Sequence, residues 1–117
     1  MKKHDALAAL AALAQENRLD VYRLLVEAGP EGLSAGNVAT TLKLAPNALT
    51  FHFDRLREAG LVTVRRDGRS MIYAAQFDQM NALIGYLTEN CCQGRAEECV
   101  PAVRKNDVWA ARKKETV

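Results

Sequence analysis

The sequence contains few of the features that mark membrane proteins and enzymes. Its 117 residues include no apolar run that approaches the roughly 18 residues of a membrane span, so we expect no membrane partner. Aromatic residues make up only 6% of the chain, so leucine, valine and alanine must form most of the core. We find no nucleophile and base pair, carboxylate dyad or phosphate-binding glycine loop. The sequence therefore predicts neither an enzyme nor a catalytic cofactor.

Cysteine is absent from most of the chain and is confined to one hydrophilic stretch, "ENCCQGRAEEC". The N-terminal segment "MKKHDALAALAALAQ" imitates a secretory signal, but Asp5 interrupts the entry to a short apolar run. Leucines recur there every three residues, which favours an amphipathic helix. We therefore expect a cytoplasmic protein whose thiols stay reduced, where three cysteines are ligands, redox groups or bystanders.

The net charge is weak, but its distribution is uneven. A formal charge of +2 does not by itself indicate a polyanionic partner. Between Lys43 and Arg69, however, six basic residues stand against three acidic ones, Asp54, Glu58 and Asp67. That stretch is therefore the candidate for contact with nucleic acid.

Apolar spacing predicts four helices before any strand. After the leucine-rich first helix, a second begins at Glu16 or Asn17 and carries Leu19, Tyr22, Leu25 and Val26 on one face. A short third helix is expected after the N-cap Ser34, and a longer fourth one has Pro46 in its first turn. Two helices separated by about three or four residues make a helix-turn-helix candidate.

A β-hairpin and a last helix complete the predicted fold. Two β-prone runs, residues 61–65 and 71–74, flank the turn dipeptide Asp67-Gly68, and a helical stripe follows from Phe77. The expected fold class is mainly α with a β-hairpin, in the order of a winged helix-turn-helix. We expect residues 1–90 to form the DNA-binding and dimerisation domain, and residues 91–117 to form a ligand-binding segment and tail.

The segment "ALTFHFDRLREAGLVTVRRDGRSMIYAA" resembles the recognition helix and wing of the ArsR/SmtB family, small bacterial metalloregulatory repressors. A His-x-x-x-Leu-x-x-Ala-Gly-Leu-Val run is typical of that family, and the resemblance covers roughly residues 7–90. It implies a winged-helix repressor that binds double-stranded operator DNA. It also implies a homodimer whose interface is formed by the first and last helices.

The predicted recognition helix carries candidate base contacts near its start. Short polar side chains at the N-terminal end of such a helix face base edges, and Asn47, Thr50 and His52 are the candidates here. His52 lies between Phe51 and Phe53, so a half-buried packing role is an equal alternative for it. Both phenylalanines are expected in the core or in an interface.

Arginines are the predicted phosphate contacts. A hairpin tip with three guanidinium groups and no apolar cover has few structural uses, which favours DNA contact over a solvated surface. Arg57, beside two acidic residues, is better explained as part of a solvated helix face. The predicted contacts are Arg55 on the helix and Arg65, Arg66 and Arg69 on the wing.

A single recognition helix reads only one half-site, so we expect a two-fold dimer. The apolar residues of the first and last helices either complete the core of one subunit or cover a partner, and the resemblance favours the partner. The predicted interface residues are Leu7, Leu10, Met80, Leu83, Ile84 and Leu87.

Cys91, Cys92 and Cys99 form the candidate ligand site. Their spacing provides neither the four ligands nor the paired Cys-x-x-Cys knuckles of structural zinc. Three thiolates without a nearby histidine suit a soft three-coordinate ion, such as As(III) or Sb(III). The cluster resembles the C-terminal arsenic site of one branch of ArsR repressors, which has a vicinal cysteine pair and a third cysteine beyond the last helix. That resemblance implies an arsenite- or antimonite-responsive repressor with As(III) or Sb(III) as its inducer.

Two other functions compete with this hypothesis. Exposed thiols on the same fold would also serve a redox-sensing repressor, which would respond to oxidants and not to arsenite. An arsenic-binding protein without a role on DNA would require the basic hairpin to be incidental. Salt-sensitive binding to duplex DNA separates this last alternative from the other two.

Overall fold

The structure is a computed structural model that describes residues 1–94. Its helices and strands follow in chain order: α1 (Lys3–Leu13), α2 (Glu16–Ala28), β1 (Leu33–Ser34), α3 (Ala35–Leu42), α4 (Pro46–Glu58), β2 (Val62–Asp67), β3 (Ser70–Ala75) and α5 (Phe77–Leu87). A 3₁₀ turn follows at Cys91–Gly94. The predicted winged helix-turn-helix fold is confirmed.

The helices begin where the sequence provides suitable first-turn chemistry. Gln15 Oε1 accepts a hydrogen bond from the Arg18 amide at 2.8 Å, which caps α2. Ser34 Oγ accepts one from the Asn37 amide at 3.1 Å, so the predicted N-cap of α3 is confirmed. Pro46 occupies the first turn of α4, where its missing N–H is not needed. The N-terminal residues of α3 and α4 therefore determine where the two helices of the helix-turn-helix begin.

The wing is a regular antiparallel hairpin. β2 and β3 pair from Val62 opposite Ala75 to Asp67 opposite Ser70. The two residues between the strands begin with Gly68, whose φ of +64° is a conformation that glycine adopts without steric cost. The hairpin that the Asp-Gly dipeptide predicts is therefore present, and its strands are slightly longer than expected.

A third strand, which the sequence did not predict, holds the wing against the helices. β1 pairs with β3, with Leu33 opposite Tyr73, and gives the sheet order β1-β3-β2. Gly32 precedes β1 at a φ of +74°, and a Cβ there would collide with the Tyr73 carbonyl oxygen. A strand of two residues has no periodicity to recognise, so only the tertiary pairing reveals it.

The core lies between α2, α4 and the base of the wing. Phe53 of α4 stacks on Tyr73 of β3, with ring centroids 3.6 Å apart and ring planes 3° from parallel. Burial of large side chains on all three sides gives the recognition helix a fixed position against the sheet. The largest fully buried residues are Val21, Leu25, Val38, Leu49, Phe53, Leu56 and Leu61.

Alanines form the buried face of α1, and the buried face of α2 differs from the predicted one. In α1 the residues that turn inward are Ala6, Ala9 and Ala12, while Leu7 and Leu10 are exposed. Small side chains let α1 approach its neighbours closely, because interaxial distance depends on the residues at the contact. In α2, the helix turns Val21, Tyr22 and Leu25 inward and leaves Leu19 and Val26 exposed.

The described chain divides within α5. Residues Met1–Tyr86 form one compact unit, and a second unit begins at Leu87. Of the helices in residues 1–94, none is both long and apolar enough to cross a membrane.

Candidate nucleic-acid interface and thiol segment

The recognition helix α4 separates into an inner and an outer face. Leu49, His52, Phe53 and Leu56 are buried, and they recur at the i, i+3, i+4, i+7 spacing of one helix face. The other residues of the helix, including Asn47 and all of its charged residues, are exposed. The outer face is therefore the surface that α4 presents to a partner.

The first turns of α4 hold two of the predicted base contacts in fixed orientations. Asn47 Oδ1 accepts a hydrogen bond from the Ala48 amide at 3.0 Å, which leaves the amide Nδ2 as the outward donor. The Thr50 hydroxyl donates to the Pro46 carbonyl oxygen at 3.0 Å. Because that donation uses its only hydroxyl hydrogen, Thr50 presents a methyl group and an oxygen that only accepts.

His52 is not on the outer face, so the prediction that it contacts bases is corrected. Its side chain is 7% exposed, and Nδ1 is buried without a hydrogen-bond partner among the described residues. Burial lowers the pKa of this imidazole below its ordinary value, and the positive charge of Arg18 lowers the pKa further. His52 follows Leu49 by three residues and precedes Leu56 by four, so the apolar stripe itself indicated an inward position.

Arg55 and Phe51 interact on the outer face. The Arg55 guanidinium lies 5.1 Å from the centroid of the Phe51 ring, and its Nη1 lies 3.6 Å from Glu58 Oε2. The acidic partner balances the charge of Arg55, which weakens the case for a phosphate contact at this residue. Phe51 itself is 51% exposed, so of the two expected positions the core is excluded and an interface stays a prediction, whereas Phe53 is 2% exposed and lies in the core.

The wing carries less compensated charge. Arg65 Nη2 donates to the Glu31 carbonyl oxygen at 2.9 Å, which ties β2 to the loop before β1 and leaves the other guanidinium hydrogens available. Arg66 and Arg69 are exposed near the tip, beside Asp67. All three arginines therefore remain candidates for phosphate contact.

Exposed apolar residues of α1 and α5 are the candidate dimer contacts. Leu7, Leu10 and Ile84 are large and exposed in the first compact unit, and Leu87 is exposed where the second unit begins. Met80 is half-buried and packs against the core of its own subunit.

Leu83 is 2% exposed and belongs to that same core, so its prediction as an interface residue is corrected. The helical period of α5 turns it away from Ile84, its exposed neighbour in sequence.

The thiol segment follows α5 after a short turn. The Cys91 amide donates to the Thr88 carbonyl oxygen at 3.0 Å, and the Gly94 amide donates to the Asn90 carbonyl oxygen at 3.2 Å. Asn90, Cys92 and Gln93 all have left-handed backbones, which non-glycine residues adopt infrequently.

Cys92 is exposed and Cys91 is half-buried. Cys99, the third predicted ligand, lies outside the described residues. Within residues 1–94, no three side chains of the metal-binding types come together as a metal site.

Comparison with known proteins supports the structural reading. The helix-turn-helix domain family matches residues 13–65. The transcriptional activator HlyU of Vibrio cholerae is 33% identical over 80% of this chain and 85% of that protein. The regulator YgaV of Escherichia coli is 31% identical over 75% of this chain and 87% of its own length. A putative arsenical resistance operon repressor of Halobacterium salinarum is 40% identical, but over 51% of this chain and 46% of that protein.

Solved structures agree with these relatives. The structure of HlyU has a TM-score of 0.62 at 31% identity, and the match covers 79% of this chain and 99% of that one. A structure of reduced HlyU has a TM-score of 0.61 at 30% identity, and the match covers 76% of this chain and 90% of that one. An ArsR-like transcriptional regulator from Rhodococcus has a TM-score of 0.64 at 24% identity, over 94% of this chain and 92% of its own, which shows the fold.

The fold, the outward polar helix and the basic wing define a winged helix-turn-helix transcriptional regulator. More narrowly, the chain belongs to the ArsR/SmtB family of these regulators, and the relatives HlyU and YgaV described above are transcriptional regulators. Family membership disfavours the alternative of an arsenic-binding protein that has no role on DNA.

Proposed function

We propose that the protein is a homodimeric arsenite-responsive repressor, which binds operator DNA without ligand and leaves it when As(III) binds Cys91, Cys92 and Cys99. The observation that carries the proposal is the pair of adjacent cysteines in a turn directly after α5 of a winged-helix regulator. The similarity of half the chain to a putative arsenical resistance repressor supports it. Sb(III) has the same preference for thiolates and is a second candidate inducer.

The ligand chemistry of the thiol segment fits a trivalent arsenic ion. Cys91 and Cys92 provide two soft donors, and Cys99 is the one remaining cysteine in the sequence. A trivalent arsenic ion accepts three sulfur ligands, so the cysteine complement of one chain equals the need of one ion. The left-handed residues of the turn also support a ligand role, because strained backbone concentrates at ligand-binding and switch segments.

Repression would depend on a dimer, and the exposed leucines support one. Leu7 and Leu10 on α1 form an apolar surface that one subunit leaves uncovered. Two-fold symmetry would place two recognition helices on two half-sites, which raises both affinity and specificity. Ligand binding at a segment that continues α5 would weaken DNA binding if arsenic and operator favour different arrangements of that dimer.

The experiment is native mass spectrometry of the reduced full chain with arsenite, paired with fluorescence anisotropy on duplex DNA. We expect one arsenic ion per subunit and a loss of DNA affinity of about 5- to 150-fold, the range typical of allosteric coupling. Cys99→Ser should abolish the response while DNA binding without arsenite is kept. No uptake of arsenic, or uptake that does not depend on Cys99, would overturn the three-sulfur site.

A thiol-redox repressor is the second candidate. Cys92 is exposed. One solved structure of the relative HlyU is that of its reduced form. Such a repressor would lose DNA on treatment with peroxide and would ignore arsenite under strong reductant. The same anisotropy assay with both reagents therefore distinguishes the two candidates.

A further inference from the structure

Phe51 is an exposed aromatic residue on the part of the molecule that reads DNA. Of the two phenylalanines of α4, Phe53 packs in the core and Phe51 faces outward. The exposed leucines among the candidate dimer contacts lie on α1 and α5, whereas Phe51 lies on the recognition helix. Completion of the core does not explain its position.

Neighbouring side chains hold the Phe51 ring in place. The Arg55 guanidinium lies over it at 5.1 Å, and Glu58 anchors that arginine at 3.6 Å. The His52 ring meets the Phe51 ring edge-on, with centroids 5.9 Å apart and planes at 64°. The ring also borders a cavity of about 480 Å³ that is lined on its other side by Ala8 and Ala11 of α1. The Arg55 guanidinium is therefore placed to orient the ring.

In α4 the exposed large apolar side chain is Phe51, and the other exposed residues are small, polar or charged. Thr50 has committed its hydroxyl hydrogen to the Pro46 carbonyl oxygen, so its hydroxyl offers a base edge only an acceptor. In the major groove the one apolar group on any base edge is the 5-methyl group of thymine. The exposed Phe51 ring, in the N-terminal half of a recognition helix, is complementary to that group.

We infer that Phe51 reads thymine methyl groups in the operator, so that it sets part of the DNA sequence that the protein selects. This inference rests on the proposed binding of α4 in the major groove. Asn47, whose outward Nδ2 is a donor, would add contacts to base acceptors one turn earlier. Phe51 is then a specificity-determining residue, and Arg55 positions it.

The test replaces thymine by deoxyuridine, which removes the methyl group and keeps base pairing. Duplexes are first selected from a random pool with the full chain, and the preferred sequence is then synthesised with one T·A pair at a time changed to U·A in both half-sites. Loss of a methyl contact should weaken binding about three- to fourfold per half-site, on the scale of burying one methylene group. At least one position should therefore show a loss of about tenfold when both half-sites are changed.

The Phe51→Ala variant should bind the thymine and deoxyuridine duplexes with equal affinity at that position, and Phe51→Leu should retain part of the discrimination. Leu19→Ala, which truncates an exposed apolar residue of α2, is the matched control and should discriminate as the wild type does. Circular dichroism checks that each variant is folded.

Three results would overturn the inference. Wild-type protein that binds a selected duplex tightly but shows no methyl-sensitive position would remove the role of Phe51 and leave DNA binding intact. A Phe51→Ala variant that still discriminates would assign the methyl contact elsewhere. A Phe51→Ala variant that binds both duplexes more weakly than the wild type by the same factor, and that also changes the oligomeric state, would assign Phe51 to a subunit interface. Failure to select any duplex would contradict the proposed function itself.

Discussion

The recognition helix and the wing contribute differently to a DNA-binding surface. α4 has two arginines and two acidic residues, and one arginine is engaged by Glu58. The wing has three arginines and a single aspartate. The helix presents oriented neutral groups, namely Asn47, Thr50 and Phe51, whereas the wing presents charge. Under the proposed function, sequence discrimination would therefore depend mainly on the helix and electrostatic attraction mainly on the wing.

Truncation of the two phenylalanines of α4 tests the orientation of the helix and has the largest expected effect. Phe53→Ala should lower the free energy of unfolding by about 3–5 kcal/mol, because it removes a buried ring that stacks on Tyr73. Phe51→Ala should change it by less than about 0.5 kcal/mol, because the site is half-exposed. Urea unfolding at one protein concentration measures both. Equal effects would mean that α4 is rotated from the described orientation.

Removal of wing charge sharpens the division of roles between helix and wing. The double variant Arg66→Ala, Arg69→Ala should reduce the slope of log affinity against log salt by about 3.6 units, because the proposed dimer loses four phosphate contacts and each contributes about 0.9. Arg55→Ala should change the slope by less than about half a unit, because Glu58 already balances that charge. Anisotropy titrations from 50 to about 200 mM salt give both slopes. A larger change from Arg55 than from the wing would reverse the assignment.

The secondary structure was more predictable than the faces of the helices. Ser34 and the Asp67-Gly68 dipeptide indicated their local structures directly, because capping and hairpin turns depend on a few adjacent residues. In α1, alanine and leucine both suit a buried face, so only the family resemblance favoured an outward position for Leu10, which is exposed while Ala9 faces inward. The two-residue strand β1 depends on its pairing with β3 and has no local signal.

The residues of the candidate site were also predicted with unequal success, because residue type does not show which way a helical side chain faces. Residue type selected the wing arginines and the cysteine pair as candidates, because few other structural roles suit them, and their roles stay predictions. Residue type left DNA contact and packing as equal alternatives for His52, and its burial decides for packing. Residue type also left a core or an interface position open for Phe51, and its exposure excludes the core. For both residues, position relative to the apolar stripe of α4 was the better guide.

Burial of the His52 imidazole makes the stability of the folded protein depend on pH, and this is the smallest of the predicted effects. Because burial and Arg18 lower its pKa in the folded state, the unfolded chain binds a proton more readily than the folded chain does. Stability should therefore be complete above the ordinary histidine pKa of 6.5 and should decline as pH falls below it, until the folded state is protonated too. His52→Gln should flatten this decline in urea unfolding between pH 7.5 and about pH 5. The exposed His4 is the other histidine of the chain, so His4→Gln is the matched control and should keep the wild-type profile. Identical profiles for wild type and His52→Gln would show that carboxylates alone cause the acid sensitivity, and the packing of α4 would then be independent of this proton.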